Sequence, residues 1–270
     1  MRSSYFASNT FMKVVIFAGG LGTRLAEETD VRPKPMVEIG GRPIIWHIMK
    51  IYSSYGFNEF VVCLGYKGFF IKEYFMQYYL HSSDLTIELK NNKVEVHDTH
   101  TESFTVTLVD TGLNTKTAGR LKIVQRYIGN EDFMLTYGDG VADINIKELL
   151  KFHQAHNKIA TVTAVQPEGR FGSMEIEEDD VVDHFKEKPK GDNKWINGGF
   201  FVLKPEVFNY LNDANINDIM WEDAPMQKLA NDKQLVAYKH TGFWKPMDAL
   251  RDKIELENLW QSGNAKWKTW

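Results

Sequence analysis

Cysteine is almost absent from this sequence: among 270 residues only Cys63 occurs. A lone thiol forbids an intrachain disulfide, excludes a cysteine-rich zinc site and fits a reducing cytoplasm. Excess charge is also lacking. The formal net of -4 leaves no basic footprint for nucleic acid and no polybasic patch for a membrane surface. No apolar run is long enough to cross a bilayer, and residues 1–11 lack the apolar stretch of a signal peptide. That opening segment reads as an extension, native or introduced, ahead of Met12. Repeats, low-complexity tracts and Pro/Ser/Gly-rich linkers are missing too, so residues 12–270 read as a single domain. Neither an H-E-x-x-H nor a G-x-S-x-G motif occurs.

What is present is an ordinary globular composition, 43% hydrophobic and 25% charged. Val14 to Ala18 is a continuous apolar run rich in β-branched residues, as a parallel strand buried on both faces requires. Pro43 suits the first turn of a helix carrying Ile44, Ile48, Ile51 and Tyr55 at helical spacing, and Gly56 stops it. Strands are expected at Phe60–Leu64, Thr105–Val109, Phe133–Tyr137 and Ile159–Val165. Helices are expected through Ile71, Phe75 and Tyr78, over Arg120–Ile128, and through Ile146, Leu149, Leu150 and His153. Thr86–Val96 reads as a hairpin around Asn91-Asn92. The last third suggests antiparallel strands at Met174–Ile176, Val181–Phe185 and Phe200–Leu203, then a helix over about Ala249–Trp260. Alternating strands and helices predict a Rossmann-like α/β fold, its sheet mixed but mainly parallel, covered by helices on both faces, with small antiparallel β additions.

Chemistry concentrates in a few segments. AGGLGTRL, residues 18–25, directly follows the first strand, and its glycines let backbone N–H groups approach a phosphate. It is neither a Walker A loop nor a dinucleotide fingerprint, because no Gly-Lys-Ser/Thr closes it and Leu25 stands where a third glycine belongs. A tight turn explains the glycines equally well. Arg24 and Lys34, the latter set between Pro33 and Pro35 in a segment expected to be extended, add fixed positive charge nearby. Asp139 in YGDG follows a strand, at the end where open α/β sheets bind ligands. Asp248 precedes the last helix. Taken singly, the first could be a turn aspartate and the second an N-cap. KEKPK, residues 186–190, could be a charged surface loop, and Asn197-Gly198-Gly199 a β-bulge. His153 and His156, with no third ligand evident, read as helix-surface residues. The tryptophans Trp46, Trp195, Trp221, Trp244 and Trp260 read as core and oligomer contacts rather than a base-stacking platform.

AGGLGTRL followed by PKPMVEIGGRPIIWHIM resembles the N-terminal signature of the sugar-1-phosphate nucleotidyltransferases, whose sheet is the GT-A-like nucleotidyltransferase fold. The resemblance implies a nucleotide site at Ala18, Gly19, Gly20, Gly22, Thr23, Arg24 and Lys34, extended by Gly138 and Asp139, with Arg24 and Lys34 catalytic. It makes Asp139 and Asp248 ligands of a catalytic Mg²⁺. F-K-E-K-P resembles the family segment that grips the sugar phosphate, which assigns Glu187 and Lys188 there, with Asn197 and Gly198 near the sugar. RLAEET, LVDTGLNTKTAGRLK and GFWKPMDALRDKIELENLW resemble the branch that joins CTP to glucose 1-phosphate for dideoxysugar and O-antigen (lipopolysaccharide) biosynthesis. This adds Thr111, Gly112, Thr115 and Arg120 near the nucleotide, although Ala118 stands where that branch is expected to have glycine. The resemblance also suggests a homo-oligomer, with a hexamer as one candidate. A UTP- or dTTP-dependent relative, a glycosyltransferase on a similar fold, and a regulatory homologue without catalysis remain the alternatives.

Overall fold

Alternation along buried strands decides the layering. Val14 and Ile16 join one apolar cluster while Val15 and Phe17 join another, so the first strand must be covered on both sides. The computed structural model describes residues 12–167, 173–176, 182–186 and 194–270. Within it a seven-stranded sheet contains β1 (Lys13–Ala18), β2 (Glu59–Leu64), β3 (Thr105–Asp110), β4 (Phe133–Tyr137), β5 (Ala160–Val165), β6 (Ile196–Leu203) and β7 (Leu235–His240). Their spatial order is β7-β5-β6-β4-β1-β2-β3. Only β6 runs against its neighbours, pairing antiparallel with both β4 and β5. The carboxyl ends of six strands and the amino end of β6 therefore share one edge.

Six helices cover this sheet: α1 (Ile44–Ser53), α2 (Gly68–His81), α3 (Thr117–Ile128), α4 (Ile146–His156), α5 (Ala224–Asn231) and α6 (Leu250–Gln261). Ile44, Ile48, Ile71, Ile146, Leu149 and Leu256 place α1, α2, α4 and α6 in one core, whereas Leu121, Val124 and Leu229 place α3 and α5 in the other. Each such fully buried aliphatic side chain contributes about 1.5–3 kcal/mol. Asn145 caps α4, its side chain accepting from the Glu148 N–H at 3.1 Å. The hairpin Ser83–Glu88/Lys93–Thr99 stands apart as a two-stranded sheet, with Asn92 at φ 50 in its turn. Strands Ser173–Ile176 and Val182–Lys186 form another antiparallel pair. Among the described residues no helix is long and apolar enough to cross a membrane.

Two expectations need correction here, and two elements were not foreseen. Lys34 is not extended: Lys34–Met36 form a single 3-10 turn after Pro33. The first turn of a helix needs no N–H from Pro35, so the proline sits there without loss. His153 is fully buried rather than on the helix surface, because its spacing from Leu149 and Leu150 sets it on the apolar face of α4. There its Nδ1 meets the Thr161 hydroxyl at 2.8 Å, and burial pushes its pKa down to about 4. Finally, β7 and α5 are elements the sequence patterning did not announce.

A second histidine is also enclosed. His47 on α1 has no exposed surface; its Nε2–H donates to the Ile39 carbonyl at 2.8 Å and its Nδ1 accepts from Trp267 Nε1 at 3.3 Å. Trp260, Trp267 and Trp270 gather around it, closing the C-terminal segment onto α1. Burial lowers His47 to about 4, so the ring is neutral with a fixed tautomer.

Candidate active site

A cleft of about 490 Å³ opens along the shared strand edge, between the glycine loop, the Gly138-Asp139-Gly140 turn, the start of β6 and the segment before α6. Local geometry at the loop is set by its glycines. Gly22 has φ +65, and a side chain on Gly19 would collide with the Arg120 guanidinium. At Gly20 an added Cβ would meet nothing within 4 Å, so the loop backbone faces open space there. Thr23–Leu25 then close a 3-10 turn leading into the short helix Ala26–Thr29, and the Arg24 backbone lies in that turn.

Lys34 is the electrostatic centre. Its Nζ lies 2.6 Å from Asp139 Oδ2 and 2.7 Å from Asp248 Oδ1. The two carboxylates are brought together by a small antiparallel pairing in which Gly140 faces Pro246, and the Met247 N–H donates to the Asp139 carbonyl at 2.8 Å. Asp248 is no N-cap through its side chain: Ala249 holds that position, and it is Asp252 that accepts from the Asp248 and Ala249 N–H groups. Burial alone would depress the Lys34 pKa, but Asp139 and then Asp248 outweigh it and hold the ammonium above its ordinary value. Lys34 is thus a charged group at working pH, 13% exposed at the cleft. Among the described residues no cluster of three or more His, Cys, Asp or Glu could hold a metal; Asp139 and Asp248 are two carboxylates that meet at Lys34.

A second wall is polar: Asn197 and Gly198 were expected near it, whereas Tyr137, Thr117 and Glu222 were missed at the sequence level. The Tyr137 hydroxyl donates to Glu222 Oε1 and accepts from Asn197 Nδ2 at 2.9 Å. The Thr117 hydroxyl donates to Glu222 Oε2 at 3.0 Å and accepts from the Trp221 N–H at 2.7 Å. Burial, then the adjacent Glu222 carboxylate, push the Tyr137 phenol far above its ordinary value and keep it a donor. Asn197 Oδ1 accepts from the Gly199 N–H at 2.8 Å, and Gly199 has φ +80. The Asn-Gly-Gly stretch is both wall and irregularity, since the β5–β6 register shifts between Val162 and Ala164. Trp244 was expected in the core or an oligomer contact. It lines the cleft instead, its Nε1 donating to the Gly198 carbonyl at 2.7 Å.

The residues near β3 take a different place. Arg120 is 4% exposed, donating to the carbonyls of Leu64 and Gly19, both at 2.9 Å, and to Thr111 Oγ1 at 2.6 Å. It ties the carboxyl ends of β1, β2 and β3 together. Thr111 is buried, its hydroxyl donating to the Leu64 carbonyl at 2.6 Å. Gly112 has φ +91 and its N–H donates to Asp110 Oδ1 at 3.0 Å, with Thr115 packed against it. Ala118 lies in the first turn of α3 without positive φ, so the glycine expected there is not needed. Glu187 and Lys188 lie outside the described residues.

Comparison with known proteins bears on the family and the fold. The family model described as nucleotidyl transferase matches residues 13–259. The glucose-1-phosphate cytidylyltransferases of Salmonella typhi and Salmonella typhimurium are each 56% identical to this chain over 261 residues, covering 96% of it and 100% of the relative. Among solved structures, UDP-glucose pyrophosphorylase from Acinetobacter baumanii superposes with a TM-score of 0.66 at 15% identity, covering 95% of each chain. That likeness concerns the fold.

Proposed function

The chain belongs to the nucleotidyl transferase family, and on that premise we propose that it is an enzyme transferring a cytidylyl group from CTP to glucose 1-phosphate, giving CDP-glucose and pyrophosphate. The observation that carries this reading is the 56% identity to glucose-1-phosphate cytidylyltransferases along their whole length. The site chemistry is consistent with it. A sugar phosphate has its second pKa near about 6, as phosphoserine does, so its oxygen is anionic at neutral pH and needs no general base. That oxygen attacks the α-phosphorus of CTP; the new O–P bond forms as the bond to the β-phosphate oxygen breaks, and pyrophosphate departs.

Catalysis of this kind rests on positioning and charge neutralisation. Lys34 supplies a held positive charge at the cleft, and the glycine loop offers backbone N–H groups. Asp139 and Asp248 suit Mg²⁺, which binds through one or two carboxylates and keeps its remaining places for phosphate oxygens and water. Bound there, Mg²⁺ would neutralise phosphate charge. Arg24 joins Lys34 against the triphosphate, and Glu187 and Lys188 take the sugar phosphate. Arg120, Thr111, Gly112 and Thr115 shape the nucleotide end from behind the loop. A buried, unpaired Cys63 accords with a cytoplasmic enzyme, and we infer a homo-oligomer supplying nucleotide sugar for lipopolysaccharide. The test is pyrophosphate release from CTP, UTP and dTTP with glucose 1-phosphate and Mg²⁺. Turnover with CTP well above the others is expected; equal or greater turnover with UTP or dTTP overturns the nucleotide assignment.

A further inference from the structure

Glu222 sits oddly in this cleft. Phosphates are to be bound a short way off, yet a carboxylate lines the same cavity. Among the described residues no lysine or arginine pairs with it; its oxygens accept from two neutral hydroxyls, Tyr137 and Thr117. Those hydroxyls come from the end of β4 and the start of α3, and Tyr137 is itself fixed by Asn197 on β6. Three separate elements thus hold one carboxylate in a set orientation. Near anionic substrates such a charge costs affinity, unless it accepts hydrogen bonds from a neutral, donor-rich group.

We propose that Glu222 is a specificity residue that receives hydroxyl groups of the sugar. A carboxylate has about four acceptor sites; two are taken by Tyr137 and Thr117, which leaves two on a residue that lines the cleft. Position favours the sugar over the base. Glu222 is two hydrogen bonds from Asn197 and shares the wall with Gly198 and Trp244. Thr111 and Arg120 at the other end are buried and do not line this wall. The rival occupant is the amino group of cytosine, which a carboxylate can also accept from. This inference rests on the proposed reaction but needs only its sugar half.

The experiment is steady-state kinetics of Glu222→Gln and Tyr137→Phe against wild type, with glucose 1-phosphate and its 2-, 3-, 4- and 6-deoxy analogues. Wild type is assayed first with each triphosphate, and whichever it uses becomes the co-substrate. A wrong nucleotide assignment therefore shows itself separately and leaves the sugar titration intact. Glu222→Gln is expected to raise KM for glucose 1-phosphate by about 10- to 100-fold, the range for losing a charged hydrogen bond. The KM for the triphosphate should stay within about threefold, and discrimination against at least one deoxy sugar should be lost. Tyr137→Phe, which keeps the ring, should move the same constant in the same direction by less. An unchanged sugar KM overturns the proposal, as does a rise confined to the triphosphate KM with altered CTP-to-UTP preference. A fall in kcat and Tm with both KM values steady overturns it too, since that is the mark of a purely structural role.

Discussion

Two cations stand at the same sheet edge and are held in opposite ways. Lys34 faces the cleft between two carboxylates, whereas Arg120 is enclosed and bonded to carbonyl and hydroxyl oxygens of the protein. The partners of Lys34 are anions, so an incoming phosphate or a divalent cation can take over either side of the cluster. The partners of Arg120 are carbonyl and hydroxyl oxygens of the fold itself, which no ligand replaces. A cation bonded to exchangeable anions serves chemistry; one spent on carbonyls serves geometry. Charge and proximity to the glycine loop do not tell the two apart, but their partners do.

That contrast can be broken most sharply at Lys34. Lys34→Ala should lower kcat/KM by about 10²–10³, as loss of a charge partner in the transition state does, while thermal unfolding stays near wild type. A comparable loss of Tm would place Lys34 with Arg120. Arg120→Leu should behave inversely, destabilising the fold by about 3 kcal/mol because the Gly19, Leu64 and Thr111 oxygens lose their donor. Arg120→Lys should not rescue it, since one ammonium lacks the planar fork that spans them; denaturant titration with rescue by lysine would refute the bracing role. Gly19→Ala should imitate a weaker form of the same defect, because its methyl would enter the guanidinium's space.

The smallest effect concerns acid. Lys34 is held above its ordinary pKa, so it keeps its charge as pH falls, and sensitivity must arise elsewhere. His47 is lowered from 6.5 to about 4. Between those values the unfolded chain binds a proton that the folded one refuses, so stability falls as pH drops. From about pH 6.5 to pH 5.5 the cost from His47 is on the order of 1 kcal/mol. Tm measured across that interval should decline, and His47→Gln, though less stable at neutral pH, should decline less steeply. An identical slope in the variant would remove His47 from the explanation.

Much of this was legible beforehand because buried parallel strands are unbroken apolar runs, as in Val14–Ala18 and Phe60–Leu64, and glycines announce the loop. β7 was not, because Leu235–His240 is an edge strand with polar and half-buried positions in place of a continuous apolar run. His153 misled because a polar side chain on an apolar helix face reads as surface until its partner, Thr161, is known. The pairing of Lys34 with Asp248 spans 214 positions and has no local signature. Glu222 sits in NDIMWEDAP, where no periodicity or glycine marks it; only the neighbouring buried Trp221 hinted that this loop is anchored.

The short strand pairing that sets Gly140 opposite Pro246 also has a meaning in time. During synthesis the amino-terminal part of a chain leaves the ribosome first. The glycine loop, Lys34 and Asp139 are therefore exposed to the cell long before Asp248 exists, and until it arrives Lys34 has one of its two carboxylate partners. The residue that completes the cluster also adjoins α6, whose Leu256 packs into the same core as β1. Assembly of the acidic pair and closure of the fold are one late event, so a truncated or stalled chain would carry the glycine loop and Lys34 without the second carboxylate that holds that lysine.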